Sequence, residues 1–527
     1  MLSRLALVAL FMLTALAPTW GATIWTAPAM TRVQPRDPPT AARGIGISAA
    51  RNEYEPFQVI VTAADDGLTG VTVGVSDLKG PRGALIPKNA IKLYREHYIQ
   101  VMRPSYRCDA PPGWWPDALI PLDAPGGKYV GQPFAAPRGQ NQPIWGEVLV
   151  PKGIPAGDYA GTILVDMGAA GRVSVPLRLH VWDFDLPDRA TGKSDFGGLD
   201  RAVEYHQQHG STTDRLTLYE RYAAELIRHR VMPAPPGEAQ PKINPDGSLD
   251  TTQSHPILKH YIDDLGLRSI RVRFRPDVTY LRNLYSYLQQ NGWLELHHIY
   301  ILDEPNDAEA YAKVRELAAV AHQANRGLKV LCTEQTITQD PAWGDLYGAV
   351  DIWVPLWALY DEPTAAQRLA LGEEIWGYTA LCQGEQPSPW WELDFPVLNY
   401  RIPMWVNGRY GMTGLLYWTT CYWEQTADPW TDPLTYKPSE QAVFNMEGSL
   451  LYPGLAVGID GPVTSIRLKM IREGMEDYEY LALLAKRGKK DVADAEARKL
   501  ARSWFDWEKD PTALLAARQR VAEAIEE

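Results

Sequence analysis

Along the first third of the chain, apolar and polar positions alternate in short runs. Phe57-Gln58-Val59-Ile60-Val61, Val71-Thr72-Val73-Gly74-Val75, Gly161-Thr162-Ile163-Leu164-Val165 and Val173-Ser174-Val175-Pro176-Leu177 each read as strands. Asp65-Asp66-Gly67, Gly80-Pro81-Arg82-Gly83 and Pro155-Ala156-Gly157-Asp158 supply turns between strands. This punctuation predicts a β-sandwich over residues 23–187. Residues 102–142 break the rhythm. They are rich in Pro, Gly and Trp, and a stretch that long predicts a functional loop or an excursion onto a neighbouring domain.

After Leu186-Pro187 short apolar runs alternate with helical periods, which predicts a parallel α/β arrangement. Candidate strands are 194–197, 230–233, 269–274, 299–302, 328–332, 351–355, 375–381 and 414–418. Helical runs at 216–229, 308–324 and 365–371 lie among them. Eight strands predict a central (β/α)8 TIM barrel over 188–460. A doubly wound sheet is the alternative, but the Gly-rich phosphate loop it uses is missing. Residues 461–527 turn helical and charged and predict a C-terminal helical cap on the barrel. Ile471, Met475, Tyr478 and Leu481 would form its apolar side, with Glu473 and Asp477 together on one side of the run.

The first 22 residues carry one Arg before a short apolar run and small residues, the pattern of a signal peptide. The expectation is an exported protein, periplasmic or extracellular, with no membrane insertion after cleavage. A formal net charge of −12 argues against a nucleic-acid partner. The chain holds 19 Trp and 26 Tyr against 9 Phe. Such rings, flat and apolar with a polar edge, suit the C–H faces and hydroxyl rims of sugars, although tryptophan also fills cores. The four cysteines match no metal motif, and the histidines lack partners at ligand spacing, so no metal and no cofactor are expected. Nothing in the pattern sets an oligomeric state.

The strongest chemical signal is His297-His298-Ile299-Tyr300-Ile301-Leu302-Asp303-Glu304-Pro305. A buried strand runs into two carboxylates and a proline, and barrel active sites lie at strand C-terminal ends. The histidines, earlier in the strand, belong deep in the barrel. Acids at such a place also cap the next helix, and the motif alone leaves both readings open. Ordinary glycosidases hold two carboxylates about 5 to 9.5 Å apart across the scissile bond. Sequence neighbours do not readily straddle a bond that way. They suffice if a 2-acetamido sugar attacks its own anomeric carbon. One acid then protonates the leaving oxygen while the other holds the acetamido N–H.

Four stretches are similar to the glycoside hydrolase family 123 group. They are Pro155-Ala156-Gly157-Asp158-Tyr159 with Val181-Trp182-Asp183-Phe184-Asp185-Leu186-Pro187, then Tyr300-Ile301-Leu302-Asp303-Glu304-Pro305, Gly414-Leu415-Leu416-Tyr417-Trp418, and Ser465-Ile466-Arg467-Leu468-Lys469-Met470-Ile471-Arg472-Glu473-Gly474-Met475-Glu476-Asp477-Tyr478-Glu479-Tyr480. The resemblance implies a retaining β-N-acetylgalactosaminidase working by substrate assistance on a glycan or glycoconjugate. Glu304 would be the acid/base and Asp303 would orient the acetamido group.

Further candidates for substrate contact are Arg230, Tyr378, Trp418, Trp423, Trp353 and Glu334. Arg230 would hold sugar hydroxyls or form a structural ion pair. Tyr378 would brace the acetamido oxygen or pack in the barrel. Trp418 and Trp423 would form a stacking platform. Two alternatives stand beside this function. One is a retaining glycosidase on plain sugars, with Glu334 or Glu424 as nucleophile; the Asp-Glu-Pro motif resembles the Asn-Glu-Pro of many barrel glycosidases. The other is a carbohydrate-binding protein that has lost catalysis on the same fold.

Overall fold

The computed structural model describes residues 21–381, 387–439 and 441–527. The expected signal peptide falls almost wholly outside the described residues, and Cys382 lies outside them too. Cys108, Cys332 and Cys421 are free thiols.

Two sheets build the N-terminal unit. The first holds, in spatial order, Ala22–Ala27, Tyr54–Ala63, Asn141–Leu149, Ile91–Val101 and Gly113–Pro121. The second holds Ile45–Arg51, Arg172–Asp185, Gly157–Asp166, Leu68–Val75 and Phe134–Ala136, with Leu78–Lys79 and Leu85–Ile86 paired off this path. Pairing is antiparallel except where Ile45–Arg51 lies beside Arg172–Asp185. Alternate side chains from both sheets, among them Val59, Val61, Val71, Val165 and Leu177, share one apolar core. Residues 102–142 contain strands as well as loop. They do reach the next unit: the Ser105 amide and hydroxyl donate to Asp394 at 2.6 Å each, and the Tyr106 amide donates to the Val443 carbonyl at 2.8 Å.

The central unit is a near-closed, seven-stranded parallel sheet. Its strands are β1 (Lys193–Phe196), β2 (Ile270–Arg271), β3 (His297–Leu302), β4 (Val330–Cys332), β5 (Ile352–Trp353), β6 (Glu374–Tyr378) and β7 (Gly414–Tyr417). The spatial order is β1-β7-β6-β5-β4-β3-β2. Leu331, Ile352, Val354, Trp376 and Leu416 pack together as one apolar cluster of sheet residues.

The expected strand at 230–233 does not form. Helix α1 (Arg215–Arg228) runs up to it, and Arg230 takes a left-handed φ of 60°. Only Pro233 makes a bridge, to Phe196 of β1. A proline has no N–H to extend the ladder, so pairing stops there. Helix α2 (Ala308–Ala324) follows β3 as its periodicity predicts.

Three helices end the chain: α3 (Ile466–Lys486), α4 (Lys490–Leu500) and α5 (Pro511–Glu526). Ser465 caps α3 by accepting from the Leu468 amide at 3.1 Å. The helix is not amphipathic in the expected way, because its charged positions are buried along with its apolar ones. Their partners lie in other units. Arg467 donates to Asp117 at 3.0 Å, and Lys469 and Arg472 each donate to Glu147 at 2.8 Å. Arg401 clamps Asp477 with two 2.7 Å bonds, and Arg518 of α5 approaches Asp477 to 3.1 Å. Buried charges survive only when paired, so α3 is a pinned strut between sandwich and barrel. Gly474 allows the close approach: a Cβ there would meet the Arg401 carbonyl at 2.6 Å. Among the described residues no helix is long and apolar enough to cross a membrane.

Candidate active site

The acid pair is set by a break in strand register. Tyr300 lies opposite Leu331 and Leu302 opposite Cys332, so β3 carries one residue more than β4 at this point. A bulge re-aims the side chains beyond it. Glu304 then adopts a left-handed φ of 41°, unusual for a residue with a Cβ, and Pro305 follows. Both carboxylates emerge exposed at the C-terminal end of β3. Neither caps the next helix; that role falls to Asp307, whose carboxylate accepts from the Ala310 amide at 2.7 Å. The helix-cap alternative for Asp303 and Glu304 is thereby removed.

A small hydroxyl network holds the pair. Asp303 Oδ1 accepts from Tyr300 at 2.5 Å and from Thr333 Oγ1 at 2.8 Å. The Glu304 amide donates to the same Thr333 oxygen at 2.9 Å, so one hydroxyl links both residues. Glu304 Oε1 accepts from the Tyr378 hydroxyl at the end of β6. Burial, with the Asp303 charge adding to it, pushes the Tyr300 phenol well above its ordinary value, so it remains a donor.

Glu334 lies one residue past Thr333 but is 2% exposed. Its oxygens accept from Gln339 Nε2 at 3.0 and 2.9 Å and from the Gln335 amide at 2.9 Å. Burial pushes its carboxyl up to about 7, and the Glu304 charge works in the same direction.

Trp418 follows β7. The β6–β7 register sets Tyr378 opposite Leu416, so Trp418 stands two residues farther toward the end that carries the acids. It is half-buried, 5.0 Å from Tyr422 between ring centroids, and its indole N–H donates to Glu447 Oε1 at 2.7 Å. Three other expectations are corrected. Trp423 is 4% exposed, donates to the Leu451 carbonyl at 3.1 Å and packs against Tyr205 in the core, so it is no part of a stacking surface. Trp353 neighbours Ile352, which faces the sheet cluster, so strand alternation turns Trp353 the other way, onto Glu373 at 2.7 Å. Arg230 follows α1, and its guanidinium donates to the carbonyls of Pro187 and Asn52 at 3.1 and 3.2 Å. Glu476 and Glu479 lie 3.5 and 3.8 Å from it, so Arg230 is the structural ion pair and is not brought to the acids.

Glu424 is exposed and ion-paired with Arg201. His298 is buried and bonded to Asp195 at 2.8 Å, and His297 is pushed down to about 4 by burial; both lie inside the structure. Among the described residues no group of His, Cys, Asp and Glu is arranged to hold a metal. The residues that sequence reasoning missed are Tyr300, Thr333 and Glu447. Tyr300 sits inside the quoted motif. Thr333 becomes visible only through the β3–β4 register, and Glu447 only through its bond to Trp418.

The parallel barrel-like sheet carries adjacent carboxylates at the end of β3 and an aromatic ring at the end of β7, an arrangement that suits a glycoside hydrolase. Residues 273–484 match the glycoside hydrolase 123 catalytic domain and residues 32–167 the glycoside hydrolase 123 N-terminal domain. The chain belongs to glycoside hydrolase family 123. It is similar to a solved family 123 glycoside hydrolase from Clostridium perfringens, with 14% identity, 96% of this chain and 98% of that one covered, and a TM-score of 0.72. A Bacteroides ovatus GH5 xyloglucanase gives a TM-score of 0.29 at 8% identity, covering 86% of this chain and 100% of that one. A family 39 glycoside hydrolase from Bacteroides cellulosilyticus WH2 gives 0.33 at 8% identity, covering 82% and 81%. No curated protein matches the sequence.

Proposed function

We propose that this chain is an exported hydrolase of β-linked 2-acetamido sugars, N-acetylgalactosaminides foremost, acting with retention through substrate assistance. The observation that carries the reading is the acid pair itself: two neighbouring carboxylates held in fixed relation by Tyr300, Thr333 and Tyr378. In this mechanism the acetamido oxygen attacks the anomeric carbon as the glycosidic C–O bond breaks. Glu304 gives its proton to the departing oxygen. Asp303 accepts a hydrogen bond from the acetamido N–H and balances the oxazolinium charge. Water then attacks the same carbon, its proton passes to Glu304, and the ring configuration is restored. Tyr378 positions the Glu304 carboxyl, and Trp418 offers a flat face to the sugar.

The plain-sugar alternative needs a separate nucleophile. Glu334 is buried with both oxygens occupied by Gln339, and Glu424 is tied to Arg201, so neither is presented for attack. The seven strands and the Pro233 bridge would count together as the eight positions of a (β/α)8 barrel. The Clostridium perfringens protein concerns glycolipid glycan hydrolysis, which makes glycolipid glycans a first natural substrate class to try.

The test is release of p-nitrophenol from the β-N-acetylgalactosaminide, β-N-acetylglucosaminide, β-galactoside and β-glucoside, with Glu304→Gln as control. Cleavage confined to acetamido substrates and lost in the variant supports the proposal. Cleavage of the plain glycosides overturns it.

A further inference from the structure

The groups that support the acid pair lie on the inner face of the parallel sheet. Phe196 of β1, Ile270 and Val272 at β2, and Ile299 and Ile301 of β3 pack outward, in one core with helix residues such as Leu226 and Val314. Side chains alternate along a strand, so Asp195, Arg271 and Tyr300 point the other way, into the interior that holds Tyr378. The β1–β7 and β7–β6 registers set Asp195 opposite Leu416 and Leu416 opposite Tyr378. Asp195 therefore stands level with the tyrosine that donates to Glu304.

Arg271 reaches across the open edge of the sheet. Strands β1 and β2 are the two ends of its spatial order, and Arg271 Nε donates from β2 to Asp195 Oδ2 of β1 at 2.7 Å. His298 Nε2 meets the same oxygen at 2.8 Å. Burial works against a charge on Asp195, yet the Arg271 cation and the His298 bond hold its carboxyl well below the ordinary range, so it stays ionised. In register Arg271 lies opposite His298, two residues short of Tyr300. Its side chain leans from there toward the end that carries the acids. The guanidinium carbon lies 4.8 Å from the centroid of the Tyr300 ring, and the Tyr300 hydroxyl donates to Asp303 at 2.5 Å. One aromatic ring separates Arg271 from the acid pair.

The bridge to Asp195 uses Nε alone. Among the described residues Arg271 Nη1 and Nη2 meet no protein acceptor, and the side chain is 35% exposed although it belongs to the inner face. An arginine serving only as a brace gains most from gripping its carboxylate with two parallel bonds. Here the rest of the fork is left to solvent beside the ring that supports Asp303. Asp195 already balances the charge, so the fork suits neutral acceptors, such as sugar hydroxyls, better than an anion.

We propose that Arg271 is a substrate-binding residue of the acid-pair site whose Nη groups donate to ring hydroxyls on the C3–C4 side of the sugar. The assignment rests on the proposed roles of the pair, with Glu304 serving C1 and Asp303 the acetamido group on C2. Tyr378 holds Glu304 from β6, whereas Arg271 lies across the Tyr300 ring on the Asp303 side. That side faces beyond C2, away from the leaving group.

The experiment measures kcat/KM for an aryl β-N-acetylgalactosaminide and its 3-, 4- and 6-deoxy analogues, with wild type, Arg271→Met and Arg271→Lys. Wild type should lose about 10- to 100-fold when the 3- or 4-hydroxyl is removed and less than about threefold when the 6-hydroxyl is removed. Arg271→Met should lose about 10- to 100-fold on the intact sugar, yet come within about threefold of wild type on the analogue that lacks the partner hydroxyl. Arg271→Lys keeps the charge beside Asp195 without the fork and should fall between. If Arg271→Met does not fold, wild type and Arg271→Lys carry the same comparison. The proposal is overturned if the variants lose one common factor on all four sugars, which marks a brace only, if wild type is indifferent to the 3- and 4-hydroxyls, or if folded variants match wild type. Should wild type cleave plain galactosides equally well, the acetamido reading fails alone, and deoxygalactosides decide the role of Arg271.

Discussion

Thr333→Val tests the linked acid pair without touching any group proposed to meet the substrate. The change is nearly isosteric but deletes one hydroxyl. That hydroxyl donates to Asp303 Oδ1 at 2.8 Å and accepts from the Glu304 amide at 2.9 Å. A hydrogen bond to a charged group contributes about 1.5–3 kcal/mol and a neutral one about 0.5–1.5 kcal/mol. Tyr300 keeps its own 2.5 Å bond to Asp303, so part of the orientation survives. A loss of about 2–3 kcal/mol from the transition state is the working figure, which corresponds to roughly 30- to 160-fold in kcat/KM. The assay is steady-state hydrolysis of an aryl β-N-acetylgalactosaminide, with the thermal midpoint as a folding control. The fall should appear mainly in kcat, because Asp303 acts as charge develops. An unchanged kcat/KM in folded protein would refute the claim that Thr333 sets the pair.

Three further outcomes follow from the placement of side chains. Arg230→Met should cost about 3 kcal/mol of stability in urea unfolding, because Glu476 and Glu479 lose a cation, while kcat/KM of the folded protein stays unchanged. Trp423→Ala should cost about 3–5 kcal/mol of stability as a core deletion, whereas Trp418→Ala should chiefly raise KM. Glu334, raised from 4.5 to about 7, keeps a proton in the folded state that the unfolded chain has released across that window. Stability is therefore present below pH 4.5 and lost as pH rises toward 7. Urea melts should show wild type losing on the order of 3 kcal/mol more than Glu334→Gln over that range.

The runs at 57–61, 71–75, 161–165 and 173–177 all fall within strands of the two N-terminal sheets; half-buried strands impose a period of two on the last three, while 57–61 is buried on both faces. The acid motif was legible as a strand ending in two carboxylates and a proline, but its alternative use as a helix cap was excluded only by the placement of Asp307. What failed depended on distant partners. The charges of α3 look like a solvent face in sequence, yet Asp117, Glu147 and Arg401 reach them from far along the chain. Trp353 is placed at the substrate by sequence because nothing local announces Glu373, twenty residues on, which accepts its indole N–H. The 230–233 run is apolar enough for a strand, but the left-handed turn at Arg230 and the missing donor of Pro233 prevent one. Thr333 carries no local signal, since its role exists only where the bulge in β3 meets β4.

The central claim is that the substrate's own acetamido oxygen is the nucleophile. Its most direct test is the rate on aryl β-N-acetylgalactosaminides whose acetyl group bears none, one, two or three fluorines. The account predicts that log kcat falls steadily with fluorination, because each fluorine drains the attacking oxygen, and that Glu304→Gln lowers every rate by about 10² to 10⁴. A rate indifferent to fluorination, with a sugar trapped covalently on a carboxylate such as Glu334, would contradict it.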